Sequence, residues 1–326
     1  MFSFEQCNAI VEAQIKKLDI GSRTPAGLYE PIDYIMAVGG KRVRPSLTLM
    51  ACNLFDEDIE KALMPAIALE IFHNFTLLHD DLIDNADVRR NRPTVHKRWN
   101  NNTAILSGDA MMILAYNYIC RAKSEILPVL LNTFTDTALE VCEGQQYDID
   151  FEQRNDVTID EYLNMIRLKT AVLLAACLKT GAICGSATQA NCEALYSFGI
   201  SLGISFQIQD DWLDVYADPE MFGKTIGGDI LNRKKTFLLL TAFERADEKT
   251  REKLNILLYD DKITAREKIR EVTDIYNTLE VNHAARQAID KYYQQTVSYL
   301  HRVNMPDQTR KAGLEIFAEK LLNRKK

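Results

Sequence analysis

AIALEIFHNFTLLHDDLID, residues 66–84, carries apolar residues at helical spacing and ends in Asp80, Asp81 and Asp84. Those three positions are i, i+1 and i+4. At about 100° per residue, their carboxylates fall within roughly a 100° arc of one helix face. The same apolar-then-acidic pattern recurs where SLGISFQIQ, residues 201–209, runs into Asp210, Asp211 and Asp214. Helical spacing is also clear over Thr103–Cys120, Thr133–Tyr147, Ile159–Cys184 and Cys192–Val215. Only 14 Gly and 8 Pro occur in 326 residues, too few for the turns of a sheet-rich chain of this size. The expected fold class is therefore all-α, built of long helices.

No repeat or low-complexity stretch divides the chain, so residues 1–326 read as one domain. Breaks are expected at Gly39-Gly40, at Asn91-Arg92-Pro93, at Asp218-Pro219 and across 223–228. From Phe237 onward, amphipathic segments alternate with polar links and read as structural support. A net charge of −7, with Lys and Arg dispersed, excludes a nucleic-acid partner. Seven cysteines form no CxxC pair and no zinc-ligand spacing, so they read as buried thiols of a reducing compartment. The first residues lack a basic start followed by an apolar block, and no run reaches the roughly 18 apolar residues of a membrane span. A cytoplasmic location is expected.

One Asp-Asp-x-x-Asp arises by chance in roughly one chain of this length in fifteen, and two on the order of once in several hundred. Two facing triplets would repel each other unless cations lay between them. Mg²⁺ suits the role, because it prefers hard oxygen ligands and is usually shared between a few carboxylates and a substrate phosphate. Neither cluster has the loop spacing of an EF-hand. A diphosphate bridging the two acidic helices is implied, and the basic loops supply its complement. GGKRVRP gives Lys41 and Arg44, VRRNRPTVH gives Arg89 and Arg90, RLKT gives Lys169 and Thr170, and GKTIGGDILNRKK gives Lys224 and Lys234. Each alone is usually a solvated charge; together they read as a second anion pocket.

These segments together resemble the trans-isoprenyl diphosphate synthases (polyprenyl synthetases) of the short-chain farnesyl and geranylgeranyl type. LLHDDLIDNADVRRNRPTVH and FQIQDDWLDV match the two aspartate-rich motifs, with GGKRVRP, the Lys-Thr pair and the Gly-Lys to Lys-Lys segment in order. The resemblance covers nearly the whole chain. It implies the isoprenoid synthase fold, a bundle of helices around a central cavity, and condensation of isopentenyl diphosphate with dimethylallyl, geranyl or farnesyl diphosphate. It further implies three Mg²⁺ ions on the allylic diphosphate held by Asp80, Asp84 and Asp210. Asp81, Asp211 and Asp214 would hold metal-bound waters or orient that cluster. Arg89, Lys169 and Lys224 would contact the same diphosphate, and Lys41, Arg44, His73 and Arg90 the isopentenyl diphosphate. Thr170 and Gln207, with Lys169, would place dipoles near the allylic cation. The family's homodimer is expected too. Asn91 stands where the family commonly has Gly, and Asn tolerates the left-handed backbone better than most residues.

Helix geometry puts Thr76 about 6 Å and Phe72 about 12 Å below Asp80, with Phe75 flanking. In the family this pattern resembles the class making a C20 product, with farnesyl diphosphate (C15) as the alternative; Met112 or Tyr116 could set the floor instead of Phe72 and Phe75. Three rival readings account for less. An HD-type metal phosphohydrolase would use His79-Asp80 but leave Asp210–Asp214 idle, a terpene cyclase would not need the second anion pocket, and a non-catalytic synthase subunit would have lost aspartates that are intact here.

Overall fold

The computed structural model describes residues 2–217, 226–305 and 307–322. The fold is all-α apart from one two-stranded hairpin among the described residues. In chain order the helices are α1 (Phe4–Lys16), α2 (Ala26–Ala37), α3 (Val43–Phe55), α4 (Leu63–Ile83), the short α5 (Val95–Arg98), α6 (Asn101–Ile119), α7 (Leu127–Gln153), α8 (Ile159–Ile166), α9 (Val172–Cys184) and α10 (Gln189–Tyr216). After the second acidic motif come α11 (Gly228–Leu231), α12 (Phe237–Arg245), α13 (Glu248–Tyr259), α14 (Ala265–Thr278), α15 (Val281–Arg302) and α16 (Ala312–Leu322). Local sequence explains many of their starts. Ser3 with Gln6 and Thr158 with Glu161 form capping boxes, while Asn100, Thr236, Asp247 and Thr264 each accept a first-turn backbone N–H.

The chain divides into two compact units. The first comprises Met1–Asp136, Ala176–Tyr196 and Val303–Leu314. Its central element is α4, which packs most extensively on α6 and also on α3, α1 and α2. Ala66, Ile67, Ala68, Leu69, Ile71 and Phe72 of α4 are all buried, so the helix is apolar on nearly every side before its acidic end. The second unit comprises Thr137–Ala175, Ser197–Arg302 and Glu315–Lys326. In its core Ile204, Ile208 and Val215 of α10 join Tyr162 and Ile166 of α8, Phe237–Leu240 of α12, Leu254 of α13 and Tyr276 of α14.

Two expectations are refined. The helix expected over Thr133–Tyr147 extends to Leu127–Gln153, through an apolar first turn that contains Pro128 and a mostly polar last turn over 148–153. The single helix expected over Ile159–Cys184 is interrupted by a π-helical turn at Arg167–Ala171, whose end is marked by the Val172 N–H donating to the Arg167 carbonyl.

The loop before α3 is anchored from below by α4. Arg42, left-handed at φ 44°, is buried, donates to Glu70 Oε1 at 2.7 Å, to Glu12 Oε1 at 2.7 Å and to the Met36 carbonyl at 2.6 Å. Burial opposes the guanidinium charge, but Glu70 and Glu12 more than offset it and hold Arg42 more firmly protonated than usual. Asn74 also donates to Glu70 Oε1, at 3.1 Å. Removing Glu70 would strand a buried cation. Glu70→Ala should therefore lower unfolding free energy by about 3 kcal/mol, read by urea denaturation; a loss below about 1 kcal/mol would show that Glu12 and Met36 suffice.

Candidate active site

In the first unit, α4 delivers Asp80 and Asp81 in its last turn and Asp84 as its C-cap. Left-handed Asn85 (φ 50°) then ends the helix, with the Ala86 N–H on the Asp81 carbonyl at 2.9 Å. Acids are unfavourable at a helix carboxyl end, because the macrodipole is negative there. The chain supplies a counter-charge from the hairpin that follows. Its strands β1 (Val88–Arg89) and β2 (Arg92–Pro93) pair antiparallel around Arg90 and Asn91, whose φ of 51° and 61° suit a two-residue primed turn. Asn91 thus keeps the left-handed turn. Arg89 Nε lies 2.8 Å from both oxygens of buried Asp81, and its Nη2 is 2.8 Å from Asp81 Oδ1 and 3.8 Å from Asp80 Oδ2. Asp81 is thereby committed to Arg89, Asp80 is half-buried, and Asp84 is exposed.

Beside these acids lies a group of cations. Arg44 Nη1 donates to His73 Nε2 at 3.1 Å. A Cβ on Gly40 (φ 145°) would lie 2.5 Å from the Arg90 guanidinium, so the Gly pair lets the loop backbone meet that side chain. Burial lowers the pKa of Arg44. Burial lowers that of Arg90, opposed next by the pull of Glu70 and aided by the individually smaller repulsions of Arg42, Arg89 and Arg44. His73 is held well below the ordinary histidine range, first by burial and then by Arg44, Arg90 and Arg89. An arginine can only donate, so His73 must present a bare Nε2. Lys41 is exposed on the same loop. Mutually repelling cations held in place by packing are a charge distribution that an anion would relieve.

In the second unit a cavity of about 180 Å³ gathers Lys169, Thr170, Gln207, Asp211, Lys234 and Lys235. The π-turn puts Lys169 and Thr170 there. A Cβ on Gly144 would lie 2.3 Å from the Lys169 backbone N, so this glycine of α7 lets the widened turn approach. Lys169 Nζ is 2.6 Å from Asp148 Oδ2, and the Thr170 hydroxyl donates to Gln207 Oε1 at 3.4 Å. Asp211 is buried and accepts from the Tyr162 hydroxyl at 2.5 Å, the Phe237 N–H at 3.0 Å and Gln207 Nε2 at 3.3 Å. Burial pushes its pKa up to about 7 against those three hydrogen bonds. Asp210 and Asp214 are half-buried, and Asp214 Oδ2 accepts from the Asp229 N–H at 2.9 Å. Lys234 is exposed; Lys224 lies outside the described residues.

Phe72, Phe75 and Thr76 sit below the first motif as helix geometry requires. Phe72 contacts Phe75 (centroids 5.6 Å) and Phe134 (5.3 Å), and Phe134 contacts Tyr116 (4.8 Å). The Thr76 hydroxyl donates to the His73 carbonyl at 2.8 Å. Among the described residues no group of three or more His, Cys, Asp or Glu side chains is gathered to hold a metal. Mg²⁺ does not need an all-protein cage, since it keeps waters and takes substrate phosphate oxygens. The accessible aspartates are hard oxygen donors suited to it. Glu70, Phe134, Asp148, Gly144 and Tyr162 carry no motif signal, and Arg42 lies within GGKRVRP with nothing local to set it apart from Lys41 or Arg44; their parts depend on neighbours distant in sequence.

The Polyprenyl synthetase family model matches residues 25–278. The short chain isoprenyl diphosphate synthase of Methanothermobacter thermautotrophicus is 40% identical over 268 residues, covering 81% of this chain and 82% of that protein. The geranylgeranyl diphosphate synthase of Methanosarcina mazei is 40% identical over 237 residues, covering 72% and 73%. A crystal structure of a geranylgeranyl pyrophosphate synthase superposes with a TM-score of 0.94 at 40% identity, covering 100% of both chains. Fold and relatives together define an enzyme of the prenyltransferase class. The chain belongs to the polyprenyl synthetase family, short-chain trans type, whose members join an allylic diphosphate head to tail with isopentenyl diphosphate and which generally use Mg²⁺.

His73 gives a pH signature. Its folded pKa lies below the unfolded value of about 6.5, so below that pH the unfolded chain binds more protons and stability falls. Wild type should lose up to about 1.4 kcal/mol per pH unit on acidification through that range, beyond whatever His73→Gln loses. Denaturant titrations at several pH values measure the difference; parallel curves would contradict it.

Proposed function

We propose that this enzyme makes geranylgeranyl diphosphate. The observation carrying this reading is the aromatic row Phe75, Phe72, Phe134 and Tyr116 in the first unit, in which Phe75 flanks small Thr76 and Phe72 lies one helical turn beyond it. A growing chain that starts at the first acidic motif can pass Thr76 and is stopped by this row. The names of similar proteins point the same way.

In this reading Asp80, Asp84 and Asp210 hold Mg²⁺, three ions per site, with Asp81, Asp211 and Asp214 holding metal-bound waters or orienting that cluster. When bound, Mg²⁺ neutralises the departing diphosphate. Arg89, Lys169 and Lys224 add positive charge to that leaving group, with Lys234 nearby in sequence to Thr236 and Phe237. Lys41, Arg44, Arg90 and neutral His73 bind isopentenyl diphosphate. The carbon–oxygen bond of the allylic substrate breaks, and the isopentenyl double bond attacks the resulting cation. Lys169, Thr170 and Gln207 place dipoles near the cation and stabilise it. The released diphosphate takes the final proton, so no side-chain base is needed.

The enzyme works as a homodimer in the cytoplasm. Exposed Leu106 and Ile113, 61% and 70% accessible, lie seven residues apart on one side of α6 and favour a partner copy. All seven cysteines are free; five are buried, as expected, whereas Cys120 and Cys142 are exposed. The net charge of −7 argues against a nucleic-acid partner.

Purified protein incubated with Mg²⁺, isopentenyl diphosphate and each allylic primer should yield a C20 product by mass, and none with chelator; a C15 end product would overturn the chain-length reading. Phe75→Ala and Phe72→Ala should each lengthen the product by one or more C5 units. Unchanged length in both variants would remove the aromatic row from this role.

A further inference from the structure

The second unit holds another cavity, of about 650 Å³, formed where the start of α12 and its preceding turn meet α13 and the loop between α7 and α8. Its volume falls within the roughly 300–1,000 Å³ usual for small-molecule sites. The wall carries three cations, Arg233, Lys235 and Arg251, and no carboxylate among its lining residues. Arg233 does pair with Asp261 at 2.9 Å, and Arg251 donates to the Phe243 carbonyl at 3.1 Å, yet each guanidinium keeps further N–H donors. Among the described residues Lys235 has no charged partner. The cationic turn is already shaped: Arg233 is left-handed at φ 56°, and the Lys234 and Thr236 N–H groups are bound to the Asp229 and Lys234 carbonyls at 3.0 and 2.9 Å. Preformed donors lower the ordering cost of binding an anion.

The remainder of the cleft is apolar. Val157, Leu240 and Leu258 are buried at its base, with Phe243 beside them, while Ile256 and Tyr259 stay 59% and 44% exposed at its edge. The Arg233 guanidinium lies over the Tyr259 ring at 4.9 Å, joining the charged and apolar parts. A bare anion would leave Ile256 and Tyr259 in water. A neutral hydrocarbon would desolvate the cations without compensation. A ligand with a multiply charged phosphate head and a hydrocarbon tail satisfies both.

We propose that this cleft is a second binding site for a prenyl diphosphate, separate from the catalytic cavity. Lys235 lines both cavities, so an occupant of the cleft touches a residue that also bounds the site of Lys169 and Asp211. The compounds that this chain's family produces have the required chemistry, and the inference does not depend on whether the product is C15 or C20.

Calorimetric titration of the full protein with geranylgeranyl diphosphate, and separately with farnesyl diphosphate, tests it. Wild type should bind two equivalents per chain of at least one of them. Ile256→Asp and Arg251→Glu, both at exposed positions, should each reduce this to one equivalent or weaken the second at least tenfold, with initial rates within twofold of wild type. Inorganic diphosphate and the free prenyl alcohol should each bind the second site at least tenfold more weakly than the prenyl diphosphate. A single equivalent in wild type, a second equivalent untouched in both variants, or inorganic diphosphate binding as tightly as the prenyl compound would overturn the proposal, while leaving the synthase reaction unaffected.

Discussion

Negative charge collected at the carboxyl end of a helix is the constraint on which the site depends. Asp80, Asp81 and Asp84 close α4, and Asp210, Asp211 and Asp214 lie in the last turns of α10. The helix dipole and mutual repulsion both disfavour the arrangement. Each unit meets the problem in its own way. In the first, Arg89 grips Asp81 from the neighbouring hairpin. In the second, Asp211 is buried under the hydroxyl of Tyr162 and the N–H of Phe237. One aspartate of each triplet is thus buried against protein donors, and the others are less buried.

The cationic side shows the opposite logic. Arg42 is neutralised by Glu70 and Glu12 and is structural, whereas Arg44 and Arg90 are packed near each other and near a neutral His73 with less compensation. Two arginines of GGKRVRP therefore sit in different settings: Arg42 anchors the loop to α4 through Glu70, and Arg44 rests against His73. The same division holds in the second unit, where Asp148 steadies Lys169 and the π-turn presents Thr170 to Gln207.

The helical class, the acidic motifs, the break at Asn91-Arg92-Pro93 with a left-handed Asn91, and the order of the basic segments were all legible in the chain. They are local: a period of 3.6, a spacing of i, i+1, i+4, or a residue able to take positive φ leaves its mark within a few residues. The π-turn was not legible, because Ile159–Cys184 satisfies helical periodicity throughout and the widening accompanies the close approach of Gly144 from another helix. Nor was the split between Arg42 and Arg44, since each is simply a basic residue until Glu70, twenty-eight positions away from Arg42, is seen beneath it.

Sequence by itself determined what kinds of groups this protein brings to its reaction and on which helices they ride, because side-chain chemistry and helical phase belong to the chain. Tertiary packing decided which of those groups are buried against other residues and which are left more exposed. Asp81 is held by Arg89, Asp211 by Tyr162, and Phe72 by Phe134, each through a contact between segments far apart in the chain. Burial and hydrogen bonding depend on such neighbours, and they set a carboxylate's proton affinity and an aromatic ring's place in a wall.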